Sequence, residues 1–241
     1  LYEQAVALGA IVKYEKVNSI EVQDNIKLVK TAKEIYEAKA VILATGAKNR
    51  SLGLEREDKL LGLGISYCAT CDGAFYRGRD VAVAGGGNTA IEDATFLANY
   101  CNKVYVIHRR DSFRAEDTLV KALKTKENVE FVLDSNIKEL IGTDGLEAVV
   151  VENKNNKESR KIEVAGLFVA IGQKPGNNEF SSVVNLDDAG YILGGEDTKT
   201  NVSGIFVAGD TRTKAVRQLA TAAGDGAVAG LGAAAYIDQN F

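Results

Sequence analysis

The chain has no methionine, one histidine, one proline and only three cysteines among its 241 residues. Without methionine there is no start residue, and the chain opens inside an amphipathic helix pattern (Leu1, Ala5, Leu8, then Gly9). The expectation is that the beginning of a longer protein is missing. Three cysteines in a chain of this length exclude a small disulfide-stapled scaffold. They fit a reducing compartment, read as the cytoplasm, where a cysteine pair is catalytic or metal-binding. Long apolar runs are also lacking: Gly226 to Ile237, bounded by Asp225 and Asp238, is too short to cross a bilayer, and no signal-peptide pattern appears within these residues. Neither sign of charge dominates. Lys plus Arg is 29 against 33 acidic residues, a net charge of −4, which gives no general attraction for nucleic acid or an anionic membrane, so any basic patch must be local. With 46% hydrophobic residues, the chain can build one large domain or two of ordinary size.

What the sequence does contain is organised around Ser66-Tyr67-Cys68-Ala69-Thr70-Cys71-Asp72-Gly73-Ala74-Phe75. Cys68 and Cys71 lie one helical turn apart and can form a small disulfide, and a helix start there would lower a thiol pKa towards neutrality. Asp72 follows directly, placed as an acid for a leaving thiolate. The same spacing is half of a zinc site. Completing it would need Cys101 and His108, which sit at opposite ends of one strand, about 20 Å apart at roughly 3.3 Å per residue. Redox chemistry is the better reading, and no metal is assigned.

In chain order, Leu1 to Gly9 reads as a helix end. Ile11 to Val22, Ile26 to Thr31 and Glu34 to Glu37 read as an antiparallel ribbon. Ala40 to Gly46 is an apolar strand ending in a small-residue turn, the form of a buried parallel strand whose tip, Thr45-Gly46, lies against a ligand. Ala47 to Gly64 reads as a linker, and Gln173 to Asn178, with the single proline Pro175, as a second. Between them lie a surface helix (Thr118 to Lys126), strands at Val129 to Leu133, Ile137 to Ile141, Leu146 to Val151 and Lys161 to Val164, and an apolar strand Leu167 to Gly172. Two linkers around one nucleotide-binding segment make the centre an inserted domain: residues 1–48 and 178–241 belong to one domain, 49–177 to the other. Gly204 to Asp210 is a third buried strand. A helix from Arg217 to Tyr236 follows, carrying Gly224, Gly226, Gly230 and Gly232, which suggest close packing or a helix start against a ligand.

The strongest fold signal is Asp80 to Arg110. Val81 to Ala84 is a strand, Gly85-Gly86-Gly87-Asn88-Thr89-Ala90 a turn, Ile91 to Tyr100 an amphipathic helix and Lys103 to Ile107 the next strand. This is a βαβ unit with G-x-G-x-x-A at its first turn. Gly85 allows the bend, Gly87 lets a pyrophosphate approach the backbone, and Ala90 permits close helix packing. Readers of NAD place a carboxylate about 20 residues beyond the glycines for the ribose 2′-hydroxyl. Here stand His108-Arg109-Arg110, with Arg114 one turn on, suited to the 2′-phosphate of NADPH.

Together with Ala170-Ile171-Gly172, Gly209-Asp210 and Arg217-Gln218, these motifs resemble the low-molecular-weight, bacterial-type thioredoxin reductases over the whole chain. The resemblance implies an α/β fold of two dinucleotide-binding (Rossmann-like) domains, an NADPH domain inserted into an FAD domain. It implies that Cys68 attacks thioredoxin or a thioredoxin-like protein, that Cys71 lies nearest the flavin and that Asp72 is the general acid. Asp210 (with Gly209), Arg217 and Gln218 would hold FAD beside Thr45 and Gly46, and Ala170 to Gly172 would wall the nicotinamide. His108 is not the C-terminal catalytic histidine of the larger glutathione-reductase-like enzymes. The family's first FAD motif, an N-terminal G-x-G-x-x-G, is absent, so this polypeptide as written is expected to bind FAD weakly or not at all. The function read for the parent protein is NADPH-dependent disulfide reduction through FAD, in a homodimer whose linkers act as hinges. The alternatives are a related flavoprotein reducing a peroxidase partner or a small disulfide, and a truncated, non-catalytic NADP-binding module.

Overall fold

The computed structural model describes residues Tyr2–Phe241, so Leu1 of the expected N-terminal helix lies outside the described residues. The chain divides into two compact units, one made of Leu1–Lys48 with Lys174–Phe241 and the other of Asn49–Gln173.

The first unit begins with α1 (Tyr2–Ala7), which stops at Gly9 with φ +94°. An antiparallel sheet of β1 (Val17–Gln23), β2 (Ile26–Thr31) and β3 (Ile35–Ala38) follows, in that order. Residues 11 to 16 do not join the expected first strand, because its partner β2 ends opposite Val17. β4 (Val41–Leu43) comes next, then β5 (Ala47–Asn49), where the chain crosses to the second unit. β4 is less buried than its apolar sequence predicts. Among the described residues it pairs with one strand, and Ile42 is 40% exposed.

The second unit contains α2 (Glu57–Leu60), β6 (Ile65–Ser66), α3 (Ala69–Asp72), β7 (Asp80–Gly85), α4 (Asn88–Leu97), β8 (Lys103–Ile107), α5 (Asp117–Lys124), β9 (Val129–Val132), β10 (Ser135–Ile141), β11 (Ala148–Asn153), β12 (Ser159–Glu163) and β13 (Gly166–Ala170). A parallel sheet, ordered β6-β13-β7-β8-β9, is built by strand–helix–strand crossovers. Side chains alternate across a strand, and the core divides accordingly. Val81, Val83, Val104 and Val106 pack against Ile91, Ala94 and Leu97 of α4 and Leu123 of α5. Ala82, Ala84, Tyr105 and Ile107 pack against Ile137, Leu140, Val149 and Ile162 of the antiparallel sheet β10-β11-β12.

The expected linker from Ala47 to Gly64 is a linker only at its start. Beyond Asn49 it folds onto the second unit around Glu57, a buried carboxylate that accepts the amides of Leu52 (2.9 Å), Gly53 (2.8 Å) and Leu54 (3.3 Å) and the hydroxyl of Tyr67 (3.1 Å). Four donors on one carboxylate satisfy a group that would be costly to bury alone, and they freeze a glycine-rich stretch. Burial, then Glu57, pushes the Tyr67 phenol up to about 12.

The chain returns through β14 (Gln173–Pro175), which pairs with β5, and reaches β15 (Ile205–Val207), parallel to β4 and buried throughout. The last helix, α6 (Leu219–Asn240), starts two residues later than its pattern predicts. Gln218 caps it in a reciprocal capping box with Thr221, which leaves Arg217 and Gln218 in the preceding loop. Of its four expected close-packing glycines only Gly232 meets a neighbour, Phe206, 2.9 Å from where a Cβ would stand, whereas Gly224, Gly226 and Gly230 face open space.

Candidate functional site

At the carboxyl edge of the parallel sheet a cavity of about 410 Å³ is lined by Gly85 and Gly86, by Ile107, His108, Arg109 and Arg114, by Ala170 and Ile171, and by Arg50 to Leu52 and Ser135 to Ile137. The glycine turn shapes it by omission. A Cβ on Gly85 would stand 2.4 Å from the Ala170 carbonyl oxygen and 2.7 Å from Ala90 Cβ, so strand, turn and α4 close up only with small residues at both positions. At Gly86 a Cβ would meet the His108 ring at 2.2 Å, whereas at Gly87, the N-cap of α4, it would meet nothing within 4 Å. The open backbone before α4 is where amides of the first helical turn can receive phosphate oxygens.

His108 is buried beneath Gly86, stacked on Phe113 with ring centroids 5.3 Å apart. Burial holds its pKa below the usual value. A hydrogen bond to the Ser112 backbone opposes this, and Arg109, Arg110 and Arg114 reinforce it. The imidazole is therefore neutral at physiological pH, and its buried Nε2 has no hydrogen-bond partner among the described residues. Arg109 and Arg114 line the cavity and are exposed, and no hydrogen bond or ion pair engages their guanidinium groups among the described residues. Arg110 is exposed but does not line the cavity. Asn88 and Thr89 are exposed outside its lining, with Asn88 bonded to Glu116. Arg50 was not marked by any motif. Its amide donates to the Gly172 carbonyl at 3.0 Å, which sets its side chain along the wall that Gly172, at φ +102°, leaves open. The turn free of side chains, the helix start and the two unengaged cations fit a phosphate-rich dinucleotide.

The second functional element lies in the same unit. Cys68 and Cys71 form a disulfide, with Cys68 as N-cap of α3 and its Sγ accepting the Cys71 amide at 3.2 Å. Cys71 is exposed and Cys68 half-buried, so the pair is within reach of solvent. Asp72 is joined to it through a residue that sequence reasoning passed over. Ser66, buried at the end of β6, donates to Asp72 Oδ2 at 2.6 Å and accepts the Cys68 amide at 3.0 Å. One hydroxyl thus fixes the carboxylate relative to the cysteine backbone. Cys101 is buried in the core beside α4, its thiol pushed up to about 11 by burial and then by Asp80. Among the described residues no group of three or more His, Cys, Asp or Glu side chains is placed to hold a metal ion.

In the first unit a buried polar cluster joins the tips of β4 and β15. The Thr45 hydroxyl lies 2.7 Å from that of Thr211 and donates to Asn177 Oδ1 at 3.0 Å, while Asn177, fully buried, donates to the Gly190 and Thr211 carbonyls. Gly209 turns the chain at φ +78° and donates its amide to Asp225 at 2.9 Å. Asp225 also holds Arg212 and Lys214, both at 2.8 to 2.9 Å. Arg217 donates to the Asp210 and Arg212 carbonyls and lies over the Tyr191 ring, 4.0 Å from its centroid. Gln218 is engaged in its capping box. Within this saturated network Asp210 Oδ1 is buried with no partner among the described residues. A buried carboxylate oxygen left over in such a network is an acceptor for a ligand hydroxyl, which is the fit that the ribityl or ribose hydroxyls of FAD require.

One unit carries a parallel sheet, a cavity that fits a dinucleotide and an accessible disulfide, and the other carries a buried carboxylate oxygen without a partner among the described residues; these are the parts of a pyridine-nucleotide-driven disulfide oxidoreductase. The model of the pyridine nucleotide-disulphide oxidoreductase family matches residues 5–227. The chain is 40% identical to the thioredoxin reductase of Peptoclostridium acidaminophilum, covering 99% of this chain and 78% of that protein. It is also 40% identical to a 34.2 kDa protein of the rubredoxin operon of Clostridium pasteurianum, covering 98% of this chain and 77% of that one. The crystal structure of thioredoxin reductase from Streptococcus pyogenes superposes with a TM-score of 0.94 at 38% identity, over 99% of this chain and 78% of that one. The chain belongs to the pyridine nucleotide-disulphide oxidoreductase family, and its two-Rossmann α/β architecture and Cys68–Cys71 disulfide are those of that family's thioredoxin reductases.

Proposed function

We propose that the protein is an NADPH-dependent, FAD-containing thioredoxin-disulfide reductase, with Cys68–Cys71 as its redox centre. The observation that carries this is the placing of an accessible, helix-capping disulfide in the same unit as a cavity with unengaged arginines. Together the bound cofactors supply hydride transfer, the source of the electron pair that opens the disulfide. The residues of the chain do the rest. Arg109 and Arg114 take the 2′-phosphate, and the backbone at Gly85 to Ala90 takes the pyrophosphate. Asp210, Arg217, Gln218, Thr45 and Gly46 hold FAD. Once reduced, the Cys68 thiolate attacks one sulfur of the thioredoxin disulfide. The second thioredoxin sulfur leaves as a thiolate and takes a proton, which Asp72 is placed to relay. Cys71 then attacks Cys68 of the mixed disulfide, restoring the Cys68–Cys71 bond and releasing dithiol thioredoxin. The unit of residues 1–48 and 174–241 serves FAD, and that of residues 49–173 serves NADPH. The resemblance and the low cysteine count support a cytoplasmic homodimer. Among the described residues no helix is long and apolar enough to cross a membrane.

The test is Asp72→Asn in the FAD-loaded enzyme, followed by stopped flow. Dithiol reoxidation by thioredoxin should slow by about 10²- to 10⁴-fold, the usual worth of a positioned acid, while flavin reduction by NADPH keeps its rate. Equal slowing of both steps would remove Asp72 from the acid's role.

A further inference from the structure

We propose that the side chain of Asn88 is a clasp rather than a phosphate ligand. It holds the Glu116 carboxylate away from Arg114 and so keeps the arginine loop open for the 2′-phosphate of NADPH. The inference rests on the reading of Arg109 and Arg114 given above.

The segment from His108 to Glu116 links β8 to α5 and carries three arginines. Its backbone is tied down at successive points. Phe113 stacks on His108 and meets Phe131 edge-on at 5.6 Å. The Arg114 amide donates to the Gly86 carbonyl at 2.8 Å, and Ala115 is buried. The last tie is reciprocal: the Glu116 amide donates to Asn88 Oδ1 at 2.9 Å, and Asn88 Nδ2 donates to Glu116 Oε1 at 3.1 Å. One N–H and the oxygen of the Asn88 amide are thus engaged by a single residue, and the position of Asn88 outside the cavity lining agrees.

The tie has an electrostatic consequence. Glu116 is the carboxylate nearest in sequence to Arg114, two residues on, and it is exposed. Released, it could pair with the Arg114 guanidinium, which engages no hydrogen bond or ion pair among the described residues. A carboxylate there competes with the 2′-phosphate for the same donors. NADH lacks that phosphate and is indifferent to the competition. Asn88 therefore bears on the choice between the two nucleotides, and not on dinucleotide binding as such.

The measurement is the dissociation constant of NADPH and of NADH, by direct titration of the protein without turnover, for the parent, Asn88→Ala, Asn88→Ala with Glu116→Gln, and Arg109→Ala. In Asn88→Ala the ratio of NADH to NADPH dissociation constants should fall about tenfold, the worth of roughly one charge-assisted contact. Adding Glu116→Gln, which removes the freed charge, should restore the ratio to within about threefold of the parent. Retained NADH binding shows in the same experiment that the fold is intact. Equal weakening of both nucleotides, an unchanged ratio, or no recovery on adding Glu116→Gln would each overturn the clasp. Arg109→Ala separates the two readings. If it leaves the ratio unchanged, the 2′-phosphate assignment itself fails. If it lowers the ratio while Asn88→Ala does not, only the clasp fails.

Discussion

Asp225→Asn probes the network behind Asp210, whose Oδ1 has no hydrogen-bond partner among the described residues. Asp225 accepts the Gly209 amide at 2.9 Å, Arg212 at 2.8 Å through both Nε and a terminal nitrogen, and Lys214 at 2.9 Å. Arg212 is only 2% exposed, and its other carboxylate, Glu196, sits almost wholly in solvent. Asparagine keeps the shape but removes the charge, and turns an NH₂ donor towards groups that are themselves donors. Two buried cations then lose their common anion. Breaking a buried pair in this way costs about 3 to 5 kcal/mol, most of it from the charge left behind. The expected loss in urea denaturation followed by circular dichroism is of that size, with NADPH binding by the central unit unchanged. Hydrogen exchange at the Gly209 amide should accelerate, because its acceptor is weakened. The pH dependence has a definite sign. Arg212 first, then Lys214 and the Gly209 amide, hold the Asp225 carboxyl well below the usual carboxylate range against the opposing effect of burial. Its contribution is therefore present at neutral pH and is lost as pH falls below about 4 and on through the folded value. Parent and variant should converge in acid. A loss under about 1 kcal/mol at pH 7, or a gap that does not narrow as pH falls from about 4 to about 2, would refute the assignment of stability to this cluster.

Asp93 on α4 behaves in the opposite sense, since burial and then Glu92 raise its carboxyl from the ordinary 3.8 to about 7. The folded form keeps a proton that the unfolded chain has released, so stability falls as pH rises from about 4 to 7, by at most about 4 kcal/mol. Asp93→Asn should therefore stabilise the second unit at pH 8.5 and change little at pH 4, and equal effects at both pH values in chemical denaturation would count against the buried carboxyl. Cys101→Ala should cost about 1 kcal/mol of stability and leave disulfide reduction nearly intact, because the thiol packs in the core outside every motif. In the native parent, alkylation at pH 8 should modify Cys68 and Cys71 after reduction and spare Cys101, whose thiol lies near 11; rapid labelling of Cys101 would contradict its burial.

What could be read from sequence and what could not divides by the range of the interaction. The βαβ unit and the disulfide were legible because their determinants are neighbours: the apolar run of β7, the small residues at Gly85 and Ala90 that let strand and helix close up, and the cysteines a turn apart at the start of α3. The polar clusters were not legible. Glu57 reads as one more charge in a glycine-rich linker until its carboxylate is seen to gather the amides of Leu52, Gly53 and Leu54 and the Tyr67 hydroxyl. Asn177 meets Thr45 across 132 residues of chain, and no local pattern encodes such a pair. The His-Arg-Arg run shows the same limit within a motif. β8 ends at Ile107, and in the bend that follows two arginines equivalent in sequence become unequal in space: Arg109 lines the cavity and Arg110 does not. The deciding quantity is side-chain direction at the strand's end. If that direction governs function, Arg110→Ala should leave the preference for NADPH within about twofold of the parent, while Arg109→Ala, which removes a charge-assisted bond, lowers it about ten- to a hundredfold. The comparison is a ratio of kcat/KM values for NADPH and NADH in the two variants of the FAD-loaded enzyme. Equal losses would show that the loop turns Arg110 inward when the phosphate binds, and that the direction of each side chain in this bend does not decide which arginine reads it.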